Sequence, residues 1–425
     1  MKQKPVNILV KGITDYIDEL RPKLNSQLGS LDANARAQDL GPLDTAELPK
    51  RYTIYEPMLL LGQTFPCHTS AWAALYSSLS EADKQTLFAT IVRTFRKAGH
   101  KITHIALNAP IQLRPNDANG DATENVMRSP INLQPLYGEF GPEKLLSSDS
   151  SQPTQVDFDA AFWVESSQLS GIKQVWAPRW TMFSRGNISE KARILGVTKQ
   201  NQSPFPGLSA DDLGHDISDA EVVDFYVGIG YFAFPYLRRN VRRVFGWEIN
   251  GWSVEGLRRG CERNDIGCEV VRVQDCASKR ELQNMARYAV GVIREKPDVR
   301  CVVFWGDNLF AAEVISEVGL ALHHDAQSLS VRHCNLGQLP TSQDSWTGAV
   351  EVLDPQLGGW LHVHENAEIQ EVDHRRVQVV AALAELARWK KGGSWQALCE
   401  HVEMVKTYAP GIGHFVFDIK IWPAR

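Results

Sequence analysis

Residues 222–237 read VVDFYVGIGYFAFPYL. Two apolar runs flank a Gly-Ile-Gly at 228–230, and the first run carries an acidic residue, Asp224. A strand, a tight glycine turn and the opening of a helix satisfy this pattern, because glycine reaches backbone angles closed to other residues and lets a ligand approach the main chain. In a parallel sheet such a turn lies beyond the carboxyl end of its strand, where ligands bind.

The same alternation repeats outward from that stretch. AEVVDFYV (220–227) reads as a strand and YFAFPYLRRN as a helix; VRRVFGWEI is a strand and WSVEGLRRGCERN a helix. CEVVRV is a strand, a helical stretch runs to about 294, and VRCVVFWGDN and LSVRHCNL are further strands. Then follow helix SWTGAVEVL, strand GGWLHVHEN, helix DHRRVQVVAALAELARWKKG, helix SWQALCEHVEMV and strand GHFVFDIKIWP. Apolar strands in repeated βα units indicate an α/β fold, a doubly wound, mostly parallel Rossmann-like sheet covered on both faces. The last strand is expected to pair antiparallel at or near the edge.

Upstream the pattern is different. LPKRYTIYEPMLLLG suggests a buried strand, and SLSEADKQTLFATIVRTFRKAG a helix with Ser80 as N-cap, Asp83 at N3 and Gly99 as its stop. ITHIAL, FDAAFWVE and KQVWAP read as strands, and residues 114–130 as a polar loop. Soft polar stretches at 145–157 and 198–216 suggest linkers. The expected organisation is an N-terminal α+β accessory region over 1–160, connecting strands, helix and linker over 161–215, and a catalytic domain over 216–425.

A chain of 425 residues exceeds what one hydrophobic core usually supports. Apolar residues at 43% and charged residues at 22% are those of a soluble globular protein. No window approaches about 18 uninterrupted apolar residues, so no membrane span is expected. The start MKQKPVNILVKGITDY lacks a long apolar core and cleavage site, which reads as cytoplasmic. Seven scattered cysteines without a CxxC suit reduced core thiols, and Cys261, Cys268 and Cys276 lack a good fourth ligand. No metal is expected. A net charge of −5 excludes a general nucleic-acid coat but leaves room for local basic faces, at 238–243, at Arg258 and Arg259, and near 390.

Glu248 lies at the end of the strand after the glycine turn, where a carboxylate can accept both hydroxyls of an adenosine ribose. Phe232 and Ala233 follow the turn, and the third glycine of GxGxxG is missing, which leaves less room for a pyrophosphate. The turn alone therefore admits S-adenosylmethionine or a dinucleotide. Asp307 and Asn308 end another strand and can read an adenine edge, or simply cap the next helix.

Taken together, DFYVGIGYF, WEIN, GDN, CNLGQLPTS and GGWLHVHEN resemble the wybutosine-synthesis branch of the tRNA position-37 enzymes, in its fungal form. WAPRWTMFSRGNISEKARIL, RSPINLQPLYGEFGP and VKTYAPGIGHFVFDI strengthen the likeness, which covers about 48–425. It implies a class I methyltransferase-like catalytic domain that uses S-adenosylmethionine as group donor. Its reaction would move a 3-amino-3-carboxypropyl group to a tricyclic guanosine derivative in phenylalanine tRNA. The sister branch methylates N1 of guanine-37, and NLGQLP and GGWLHVHEN favour the first branch over it. A tRNA-binding scaffold with a degenerate pocket is the third reading, against which the intact Gly228, Gly230, Glu248 and Asp307 stand.

By this resemblance Asp224, Gly228, Gly230, Glu248, Asp307 and Asn308 contact the cofactor, while Ser184 and Lys191 hold its methionine arm. Arg185 and Asn335 are the catalytic candidates, and with Pro340 they contact the substrate. Asp275, in a stretch extra to the family pattern (about 275–300), rivals Asp307 for the adenine. His362 and His364 share one face of their strand, as a catalytic base or as core residues. His323 and His324 lack well-spaced metal partners. The N-terminal region is expected to help grip the tRNA, and a monomer is favoured.

Overall fold

The computed structural model describes residues 7–27, 44–108, 133–146, 152–197, 205–273, 278–323 and 329–424. Two compact units emerge: 1–166 with 177–182, and 167–176 with 183–425.

In the first unit, α1 (Ile8–Gln27) and α3 (Glu81–Lys97) flank a core that also takes in α2 (Ser70–Ser78). Its four-stranded sheet orders β1 (Tyr52–Tyr55), β2 (Met58–Leu61), β3 (His104–Leu107) and β4 (Gln134–Tyr137) in sequence. The run LPKRYTIYEPMLLLG thus makes two antiparallel strands, not one, because Glu56 and Pro57 turn the chain between them. Ser80 caps α3 as expected, accepting the Asp83 N–H, and Gly99 follows the helix at φ +94°. The 114–130 stretch lies outside the described residues. FDAAFWVE was expected to be extended, but its first residues close helix α4 (Gln155–Ala160), since Thr154 and Asp157 form a reciprocal capping box. Extension resumes only at β5 (Val164–Ser167).

The second unit opens with β6 (Lys173–Trp176), α5 (Ile188–Leu195) and α6 (Ala210–Leu213). An eight-stranded sheet follows, built from β7 (Glu221–Asp224), β8 (Arg243–Glu248), β9 (Gly267–Arg272), β10 (Val299–Trp305), β11 (Val331–Leu336), β12 (Gly359–Glu368), β13 (Trp395–Ala409) and β14 (Ile412–Pro423). The helices are α7 (Ala233–Arg238), α8 (Gly251–Arg263), α9 (Lys279–Glu295), α10 (Ala311–His323), α11 (Trp346–Val352) and α12 (Val372–Lys391). Spatial order is β13-β14-β12-β11-β7-β8-β10-β9, and the six strands from β12 to β9 run parallel. This is the expected doubly wound, mostly parallel α/β architecture. From β7 the chain goes to β8 on one side and later returns to β11 on the other. The switch point therefore falls between the carboxyl ends of β7 and β11, where Asp224 and Asn335 are register partners.

One element is corrected. SWQALCEHVEMV forms not a helix but β13, paired along its length with β14. Its helix formers are a weak prior; Trp395, Ala397 and Cys399 alternate toward the core, and the ladder to β14 satisfies the backbone. The closing strand β14 is antiparallel to β12 and second from the edge.

Candidate functional site at the switch point

The glycine turn follows β7. Gly228 and Gly230 hold φ +54° and +83°, so both positions favour glycine sterically. A Cβ on Gly230 would stand 2.6 Å from the Phe234 ring, and one on Gly228 would face Tyr231 at 3.2 Å and Glu248 Oε2 at 3.9 Å. The turn is pinned to β8 by the Val227 N–H donating to the Trp247 carbonyl at 3.0 Å. Glu248 accepts from Asn250 N at 2.8 Å and from the backbone of Gly228 and Ile249. Burial outweighs those donors and pushes its carboxyl up to about 7.

Asp224 is buried at the end of β7. Its Oδ1 accepts from Tyr226 N at 3.1 Å, while Oδ2 has no partner among the described residues. Burial raises this carboxyl too, to about 7, with Glu248 adding to the shift. Across the switch point Asn335 accepts at Oδ1 from the Tyr236 hydroxyl (3.3 Å), and its Nδ2 is buried without a partner among the described residues. A buried polar atom that is left unpaired is costly and calls for an explanation. Two of them on adjacent strand ends, beside a glycine turn, suit a polar ligand.

Asn308 donates to the Phe225 carbonyl at 2.8 Å and so ties the end of β10 to the turn. Asp307 is exposed and caps the following turn, accepting from Leu309 N at 2.9 Å. Asp275 lies outside the described residues. Pro340 is exposed, and its carbonyl accepts from Asn366 N at 2.8 Å.

Lys191 comes from α5. It is buried, its Nζ donates to Gln174 Oε1 at 2.7 Å, and it sits 5.1 Å from the Tyr231 ring centroid and 5.5 Å from that of Phe183. Its polar contacts are neutral amide oxygens, and burial pushes the ammonium down to about 7. Tyr231, directly after the GIG turn, joins the two segments: its hydroxyl accepts from Ser184 N at 2.9 Å. Ser184 and Lys191 are thereby brought to the turn although more than thirty residues separate them from it. Arg185 stands next to Ser184, and its side chain lies outside the described residues.

Sequence reasoning passed over Tyr231 and Asn366. Among the described residues the Asn366 side chain has neither its oxygen nor its nitrogen paired, and its N–H donates to the Pro340 carbonyl of the NLGQLP loop. Both residues lay inside motifs already quoted, so their position was the available signal. The histidines divide differently from a catalytic base: His362 donates to or accepts from His333 and Asp418, and His364 faces His414, all of them buried. Burial first, then the neighbouring rings, hold His333 and His364 well below the usual histidine range.

The basic clusters of this unit are largely engaged. Arg258 and Arg259 pair with Glu255, Arg242 with Asp219, and Lys390 with Glu351. The thiols of Cys261, Cys268 and Cys301 lie within 4.8 Å of one another against an apolar cluster, with Cys301 where Cys276 was expected; Cys276 is outside the described residues. Among the described residues no helix is long and apolar enough to cross a membrane.

No family model matches the chain. It is 34% identical over 374 residues to tRNA wybutosine-synthesizing protein 2 of Schizosaccharomyces pombe, covering 88% of this chain and 73% of that protein. The protein of the same name from Saccharomyces cerevisiae is 28% identical, over 88% and 74%. Among solved structures, Pyrococcus horikoshii TYW2 in complex with MeSAdo is 14% identical over 95% of this chain and all of that one, at a TM-score of 0.49.

Proposed function

The chain belongs to the tRNA wybutosine-synthesizing protein 2 family, and from that premise we propose that it transfers the 3-amino-3-carboxypropyl group of S-adenosylmethionine to the tricyclic wyosine-type base at position 37 of phenylalanine tRNA, releasing 5′-methylthioadenosine. The residues present suit that donor. Gly228 and Gly230 leave the main chain open, Glu248 accepts the ribose hydroxyls, and Asp307 and Asn308 face the adenine. Asp224, with its unpaired Oδ2, completes the acceptors.

The observation that carries the reading is Lys191, a buried amine at the glycine turn whose hydrogen-bond partners among the described residues are neutral amides. A carboxylate supplied there forms the charge-assisted pair this lysine lacks, and the methionine arm bears one. Ser184 adds a hydroxyl beside it. Lys191 and Ser184 would hold the arm's carboxylate and so fix the arm's position relative to the base. The donor's sulfonium supplies the activation for carbon transfer when bound, and no metal enters. The protein's part is orientation and exclusion of water. Asn335 hydrogen-bonds the base, Pro340 lines its pocket, and Arg185 contacts the base or a phosphate.

For the first unit, about residues 1–160, the proposed role is to grip the tRNA. A cleft of about 510 Å³ lined by Arg93, Arg96, Lys97 and Tyr137 supports it, since basic side chains displace counterions from phosphates. Affinity for tRNA should fall steeply with salt, and a flat response would remove this role.

Product analysis tests the reaction. The protein is incubated with S-adenosylmethionine and phenylalanine tRNA carrying the tricyclic precursor, and nucleosides and small molecules are read by mass spectrometry. Methylthioadenosine with a base heavier by one aminocarboxypropyl group is the expected result. A single added methyl with S-adenosylhomocysteine would replace it with the guanine-37 methyltransferase reading, and no product despite bound tRNA with the scaffold reading.

A further inference from the structure

Helix α5 carries Glu190, Lys191 and Arg193, all buried. Only Lys191 points to the glycine turn. Arg193 turns the other way: its guanidinium donates to Glu190 Oε2 at 2.8 Å and to Asp418 Oδ2 at 2.5 Å, and stacks 5.2 Å from the Phe205 ring centroid. Asp418 lies in the middle of β14, and its other oxygen meets His362 Nδ1 of β12 at 2.7 Å. His362 Nε2 meets His333 Nδ1 of β11 at 2.9 Å, and His333 Nε2 meets the Gly207 carbonyl at 2.8 Å. One buried chain thus runs from α5 through three adjacent strands to β11, two residues before Asn335.

Hydrogen counting orients it. The Gly207 carbonyl and an ionised Asp418 only accept, so His333 donates from Nε2 and His362 from Nδ1. Asp418 therefore lies between two donors, the Arg193 guanidinium and His362 Nδ1. Burial works against its ionisation, but these two partners outweigh it and hold the carboxyl below its usual range. Glu190, left with a guanidinium already neutralised, is pushed up to about 8 by burial.

We propose that Asp418 and Arg193 are positioning residues for cofactor binding: their buried pair fixes the rotation of α5, and so sets where Lys191 presents its ammonium to the methionine-arm carboxylate. The proposal rests on the reading of Lys191 given above. α5 has only eight residues, too few to hold its own orientation, and Lys191 and Arg193 are two apart, on different faces. A helix pinned on the Arg193 side delivers Lys191 to one place.

The test compares two ligands by calorimetry, S-adenosylmethionine, which has the arm carboxylate, and methylthioadenosine, which lacks it. The double variant Arg193→Met/Asp418→Leu removes both charges together, an exchange that buried pairs often tolerate. It should bind S-adenosylmethionine about tenfold or more weakly, the loss of one charge-assisted contact, while methylthioadenosine affinity stays as in the wild type. Wild-type affinity for both ligands, or an equal loss of both, would overturn the proposal. Lys191→Met is the reference: if it leaves the ratio of the two affinities unchanged, the reading of Lys191 itself fails and the proposal with it. If only the double variant leaves the ratio unchanged, the proposal alone falls. Should the double variant not fold, His362→Leu removes one support of Asp418 and is read the same way, with a several-fold loss confined to S-adenosylmethionine.

Discussion

Asp224 and Asp418 are withdrawn from water to the same degree, 1% and 0% exposed, in the same unit. Asp224 ends β7 with one backbone donor and an unpaired oxygen, and burial drives its carboxyl up to about 7. Asp418 is held by Arg193 and His362 and moves the other way. Burial alone does not tell what a buried acid is for; the partners do. The acid left short of donors at the carboxyl end of its strand is the one proposed to receive a ligand, whereas an acid with every oxygen engaged is part of the frame.

The contrast can be broken most directly at Asp418. Asp418→Asn breaks a buried pair and leaves the Arg193 guanidinium only its Glu190 contact, and a loss of about 3–5 kcal/mol is expected. Urea unfolding measures it, and an unchanged midpoint would deny Asp418 its framing role. At the receiving end Glu248→Gln should cost about 1.5–3 kcal/mol of S-adenosylmethionine affinity, read by calorimetry. Affinity within twofold of the wild type would take the carboxylate away from the ribose. Gly230→Ala adds a methyl at φ +83° against the Phe234 ring. About 1–3 kcal/mol of backbone strain should appear as lower stability, and a neutral result would mean that the turn relaxes freely.

The smallest effect is a pH slope. Asp224 and Glu248 have folded-state pKa values of about 7, above the ordinary carboxylate range, so the folded protein binds the extra protons. Their contribution is full below that ordinary range and is lost as pH rises through 7. Asp418, shifted down, contributes above the ordinary range and loses its share only as pH falls. Lys191, pushed down to about 7, contributes more as pH rises from there toward the ordinary lysine value. Between pH 5 and 7 Asp224 and Glu248 should therefore subtract stability from the ligand-free protein, against the gain from the lowered His333 and His364, and Glu248→Gln should remove its share of the loss. Thermal unfolding over the range checks it; a slope identical in the variant would show that Glu248 titrates normally.

Much of the receiving end was legible because it is local. Gly228, Gly230, Glu248 and Asn308 sit on strand ends and turns that alternation and glycine placement reveal one segment at a time. Asp307 was legible by type, and in the structure it caps a turn. The frame was not. His362 was left between a catalytic base and a core residue, Arg193 and Asp418 drew no attention, and they are 225 residues apart. β13 was read as a helix because Gln, Ala, Leu, Glu and Met prefer one, and nothing local announces the partner strand that overrules them.

What the sequence by itself determined is the strand–helix alternation from β7 to α12, the glycine turn and the family likeness, since each depends on residues near one another along the chain. Only the tertiary structure decided that Tyr231 joins Ser184 and Lys191 to the turn, that Asp418 reaches Arg193 and His362, and that the last helix-like stretch is a strand. Those outcomes depend on which distant groups meet after burial, where the cost of an unpaired charge or an unmatched backbone selects the partner.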